Sequence, residues 1–173
     1  CKKYLGEKYN ELIYFDKELL FGIEDEIKDR KLSDDDILKL QYEDSFIIGG
    51  YASVNIIDRE GHRITIPALK KALEEFMDNP NARNVQVFHS DVQVGVVIPK
   101  VILKNGKELK TEVDNIGLYC VCEIRSDIEV ARKVQEEIEK GNIKSFSIAG
   151  NAKQKESICE NGKCFFDITD LDI

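Results

Sequence analysis

From Ser45 onward the apolar residues fall largely at alternate positions, and twice this spacing gives way to a helical one. The run Phe46-Ile47-Ile48-Gly49-Gly50-Tyr51-Ala52-Ser53-Val54-Asn55-Ile56-Ile57 is long and β-branched. Its glycine pair predicts a bulge or sharp bend. Residues 58–63, with His62 among them, read as a charged turn, and Ile64-Thr65-Ile66 as a short extended piece. Pro67 is placed to open a helix at its first position, with Leu69, Ala72, Leu73, Phe76 and Met77 as the apolar stripe. Asp78-Asn79-Pro80-Asn81 ends it. Strands follow at Val85–His89 and, after Ser90-Asp91, from Val92 to Leu103, with Gly95 and Pro99 as irregularities. Asn105-Gly106 predicts a hairpin between Val101-Ile102-Leu103 and Leu109-Lys110-Thr111. Residues 116–124 are nearly continuous in apolar character, which predicts a central strand.

The second helical stretch has Ser126 as its cap and Glu129 as the capping-box partner. Ile128, Ala131, Val134 and Ile138 form its buried stripe, and Gly141 closes it. Lys144-Ser145-Phe146-Ser147-Ile148-Ala149-Gly150 then reads as a strand, with the serines on one face and Phe146 and Ile148 on the other. Small residues at its end predict a place of close approach. Asn161-Gly162 centres a second hairpin that pairs Glu160 with Lys163 and Cys159 with Cys164. The chain closes on strand through Phe165–Thr169 and Asp170-Leu171-Asp172-Ile173. About seven strands and two main helices, by that count, predict an α+β domain over 46–173, a mostly antiparallel barrel-like sheet with flanking helices. Residues 1–45 read as an acidic arm with a short helix starting near Ser33.

Composition narrows the function classes. The chain has 173 residues, 42% hydrophobic and 34% charged, which suits one domain with a real core. Net charge is −8 and the pI about 4.9, which argues against nucleic acid as a partner. No apolar run approaches the ~20 residues that span a bilayer, and the first residues turn polar too soon for a signal peptide. An intracellular protein with no membrane partner is the expectation. Cys120 and Cys122 share a strand face and read as small core hydrophobes. The stereochemistry of facing hairpin positions permits a Cys159–Cys164 disulfide. The five cysteines and two histidines lack the spacing of a metal site, so neither metal nor cofactor is expected.

Phosphate loops, dinucleotide fingerprints and H-E-x-x-H are absent from the sequence. Nucleophilic chemistry needs a hydroxyl, a base for its proton and a group that orients the base. Ser147 supplies the first, His89 is the plausible base, and Ala149-Gly150 offers backbone N–H groups for an oxyanion. The serine is not in a G-x-S-x-G elbow.

The order of these pieces resembles the prohead (capsid maturation) serine proteases of tailed phages, which are similar in fold to herpesvirus assemblin. Residues 50–61 resemble that family's opening strand and turn, and Ile66–Met77 its following helix. Phe88-His89-Ser90-Asp91 with Val94-Gly95 resembles its histidine motif, and Phe146-Ser147-Ile148-Ala149-Gly150 its serine motif. The resemblance implies Ser147 as nucleophile, His89 as general base within hydrogen-bond reach of it, and an oxyanion hole at Ala149 and Gly150. The family's orienting acid sits in a late strand. Here Asp170 or Asp172 is the candidate, with Asp167, Asp91 or a residue beyond Ile173 as alternatives. The implied substrates are scaffold, major capsid protein precursors and the protease itself, cut by a homo-oligomer in the immature capsid in the host cytoplasm. The alternative is a non-catalytic relative that keeps the fold as a capsid-assembly module.

Overall fold

The computed structural model describes residues 13–15, of which only the backbone, and residues 45–87, 90–103 and 106–173. The helix expected from Ser33 lies outside the described residues. The main sheet is antiparallel and curls into a half-barrel. Its order is β1 (Ile13–Phe15), β2 (Phe46–Val54), β9 (Gly117–Ile124), β5 (Gln93–Ile98) and β4 (Asn84–Gln86), with β8 (Glu112–Val113) also on β9. The central position expected for residues 116–124 is therefore observed. A second sheet joins the β10 (Asn151–Glu160) and β11 (Lys163–Asp172) hairpin to β3 (His62–Ile64), which runs parallel to β11. A third is the hairpin β6 (Lys100–Ile102) and β7 (Glu108–Lys110), in which Val101 faces Leu109. The helices are α1 (Ile66–Asp78) and α2 (Glu129–Glu139). The expected α+β class holds.

β9 reads as continuously apolar because both faces of the half-barrel are covered. On one side Phe46, Ile48, Cys120, Cys122 and Ile124 pack with Leu69 of α1 and Ala131 and Ile138 of α2. On the other, Ile47, Ile98 and Val121 pack with Val101 and Leu103, from and beside the β6–β7 hairpin. Each fully buried aliphatic side chain contributes about 1.5–3 kcal/mol by leaving water. Two glycines of the sheet sit where backbones crowd. A Cβ on Gly95 would lie 2.3 Å from the Glu123 carbonyl oxygen, and one on Gly117 would lie 2.1 Å from that of Ser53.

Local details depart from the sequence reading. The bulge in β2 falls between Tyr51 and Ser53, while Gly49 and Gly50 pair regularly with Val121 and Cys120. His62 is the first residue of β3, opposite Phe166, rather than part of a turn. Thr65 caps α1 and accepts from the Ala68 N–H, so Pro67 stands one place further into the helix than expected. Ser126 does not cap α2, which starts after Ile128 without a side-chain cap. Instead Arg132 donates to the Ser126 carbonyl at 2.9 Å and Gln135 to its hydroxyl at 3.1 Å, so a later turn of the helix occupies the hydroxyl a capping box needs.

The end of α2 follows expectation. Gly141 takes φ 70°, its N–H donates to Ile138, and the Asn142 N–H reaches back to Glu137. These are the two bonds of a Schellman motif. The second hairpin is also as read. Asn161 and Gly162 have φ of 51° and 76°, and Cys159 and Cys164 face each other as a disulfide with Cα atoms 4.1 Å apart.

Candidate active site

The Schellman turn delivers the chain into residues 143–150, which belong to no strand. The strand expected there is thus corrected to an extended strap outside any ladder. Its alternation is nonetheless observed. Phe146 and Ile148 are half-buried against the core, and Ser145, Ser147 and Ala149 are exposed. Ile148 also meets the small cluster of Ala68, Ala72 and Leu171, and so ties the strap to α1 and β11. The far end is fixed at Gly150, where a Cβ would stand 2.0 Å from the Asp172 carbonyl oxygen. The close approach predicted for Ala149-Gly150 is therefore made, at Gly150, by the chain's own backbone.

Ser147 lines a groove of about 460 Å³. The floor is the half-barrel, through Ile48, Val94, Leu118, Cys120 and Cys122. The walls are Leu73 and Phe76 of α1, residues 84–87, Val134 and Ile138 of α2, and Ile143 and residues 145–149 of the strap itself. The Ser147 hydroxyl donates to the Ile148 carbonyl at 3.3 Å, a long local contact that leaves its oxygen available. The groove's two thiols are poor competitors as nucleophiles. Burial pushes Cys120 up to about 12 and Cys122 well above the usual range, and the thiolate is the reactive form.

The other residues nominated from the sequence are placed as follows. His89, with Phe88, lies outside the described residues. Val87 before it lines the groove, and its carbonyl accepts from the Ser90 N–H at 2.9 Å. Asp170 accepts from Lys71 of α1 at 2.9 Å, and the Lys71 ammonium holds its carboxyl below the usual range. Asp172 pairs with Lys153. Asp167 is buried, with Arg63 bound to it in bidentate fashion at 2.7 and 2.8 Å and stacked on Phe165. Asp91 is exposed. Ala149 lines the groove, and Ile173 beyond Asp172 does too. The structure therefore brings Ser147, Ala149, Val87 and Ile173 to one groove, and holds Asp170 and Asp167 in ion pairs with α1 and β3. From the sequence Leu73 and Phe76 read as part of the apolar stripe of α1. Their late place in the α1 stripe, facing the strap, is what brings them to the groove wall.

Fold and site together define an α+β half-barrel that presents an exposed serine at an apolar groove. The family model for the caudovirus prohead serine protease matches residues 36–173, so the chain belongs to that family and is a serine peptidase. The resemblance drawn from the four short motifs is borne out. No curated protein and no solved structure matches the chain. Membership implies association with phage capsid precursors and action within the procapsid in the host cell. Among the described residues no helix is long and apolar enough to cross a membrane.

Proposed function

We propose that the chain is an endopeptidase that processes scaffold, major capsid protein precursors and itself during capsid maturation, with Ser147 as nucleophile and His89 as general base. The observation that carries this reading is the exposed Ser147 hydroxyl on a strap outside any ladder, at the mouth of a groove. Ser147 Oγ attacks the scissile carbonyl carbon while His89 takes its proton. The tetrahedral oxyanion is met by backbone N–H groups at Ala149 and Gly150. The C–N bond then breaks, the leaving amine takes the proton from His89, and water hydrolyses the acyl-enzyme by the same steps in reverse. His89 is supported by Val87, two residues before it, which shares the groove with Ser147. Of the two acids nominated first, Asp172 is favoured over Asp170 as the orienting group, because its neighbour Ile173 lines the groove. The working form is a homo-oligomer inside the immature capsid.

The test is Ser147→Ala, and separately His89→Ala, in the full-length protein expressed with its scaffold. Each should abolish self-cleavage and scaffold cleavage, a loss of about 10⁴-fold or more. Processing at the wild-type rate in Ser147→Ala would overturn the assignment. Asp172→Asn should slow processing more than Asp170→Asn.

A further inference from the structure

We infer that the groove beside Ser147 is the specificity pocket, and that the enzyme cuts next to a bulky apolar residue of its substrate. The inference rests on Ser147 being the nucleophile. Its own evidence is the chemistry of the lining. In a chain that is 34% charged, no Asp, Glu, Lys, Arg or His is among the groove's described lining residues. The polar side chains there are Asn84, Gln86, Ser145 and Ser147. A charged substrate side chain entering it would lose its hydration and meet no counter-ion among the described lining residues.

The walls also have the shape for a side chain. Phe76, Val85, Val87, Val134 and Phe146 are half-buried and packed against the core, so they present fixed apolar surface rather than mobile chains. At about 460 Å³ the groove falls within the range of sites that enclose small ligands. The occupant is a polypeptide because of the two elements that flank it. Among the described residues β4 pairs with β5 alone, at one edge of the main sheet, and the strap, which lines the same groove, lies outside any ladder. An extended peptide laid between them has backbone partners on offer and turns alternate side chains into the groove.

The test uses the full-length protein and a peptide series built on one mapped cleavage site, with the residue beside the scissile bond varied through Leu, Phe, Ala, Asp and Lys. The expected kcat/KM for Leu or Phe exceeds that for Ala by about 10- to 100-fold, with Asp and Lys lower still. Val85→Glu should collapse the Leu-to-Ala ratio below about 3-fold, since burial of a carboxylate removes the apolar wall. That ratio is measured within one preparation, so it does not depend on how much of the variant folds. If Ser147→Ala abolishes cleavage while wild-type rates vary less than about 3-fold across the series, the pocket assignment is overturned and the nucleophile assignment stands. If Ser147→Ala cleaves like the wild type, the nucleophile reading falls and this inference falls with it.

Discussion

Replacing Gly150 by alanine tests how the strap that carries Ser147 is held. The new Cβ would sit 2.0 Å from the Asp172 carbonyl oxygen, 3.1 Å from its carbon and 3.2 Å from Ile173 Cγ2. A carbon and an oxygen need about 3.2 Å or more, so the two backbones must part by about 1.2 Å, enough to break a hydrogen bond that tolerates only a few tenths. The rung at risk is Asn151 opposite Asp172, next to the buried Leu171. Losing one or two backbone bonds costs about 1 kcal/mol each, and overpacking adds about 1–3 kcal/mol. The lower entropy of the unfolded alanine chain offsets about 0.4–1 kcal/mol. The net is a loss of about 2–4 kcal/mol, or about 5–15 °C in Tm for a chain of this size. Gly162→Ala is the control. It carries φ 76° with no atom within 4 Å of its Cβ, so it should cost only left-handed strain, about 1 kcal/mol. Urea unfolding and thermal melts of the two variants decide the matter. Equal losses, or a Gly150→Ala stability within about 0.5 kcal/mol of wild type, would refute the contact argument.

Three further outcomes are expected. The Asp114 carboxyl is raised by burial but lowered more by bonds from Tyr51, Gly117 and Ile116, and ends below its usual 3.8. Its contribution to stability is therefore complete above that value and is lost as the pH falls through the folded pKa; Asp114→Asn should flatten the urea midpoint against pH between about pH 5 and pH 2. Asp167→Asn should cost about 2–4 kcal/mol by stranding the half-buried Arg63, and a double-mutant cycle with Arg63→Met should return a coupling above about 1 kcal/mol; additivity would sink the claim. Site-resolved alkylation of the native protein near neutral pH should leave Cys120 and Cys122 unmodified, because burial keeps both as thiols; modification at the rate of the unfolded chain would contradict their place in the core.

Local signals carried furthest from the sequence. Asn161-Gly162 fixed its hairpin and register, because a two-residue turn with two positive φ angles dictates which residues face each other. Gly141 ended α2 for the same kind of reason. The alternation of Ser145 and Ser147 against Phe146 and Ile148 was equally legible, since apolar side chains select a face whatever the backbone pairs with. Ladder membership was not legible there, because hydrogen-bond partners come from distant segments. Nor was the fate of Ser126, whose oxygens were taken by Arg132 and Gln135 one and two turns later. The groove was hidden too. Its walls are spelled as core residues, and only the packing decides which apolar side chains face one another and which face a gap.

The position of Ser147 follows from these two kinds of restraint. At one end the Schellman bonds at Gly141 fix the exit from α2, and at the other Gly150 is pressed onto Asp172. Between them Ile143, Phe146 and Ile148 hold the strap down, by burial and without a ladder. Apolar burial of that size sets depth and facing, and it places few restraints on movement along the strap. The motif glycines Gly95 and Gly150 then have the same task. Each lets two backbones close to a distance no side chain allows, Gly95 between β5 and β9 behind the groove and Gly150 beside β11 at its end. Their smallness positions the walls between which Ser147 sits. An alanine at either place should therefore disturb stability and peptide cleavage together, whereas Ser147→Ala should remove cleavage and leave the unfolding midpoint where it was.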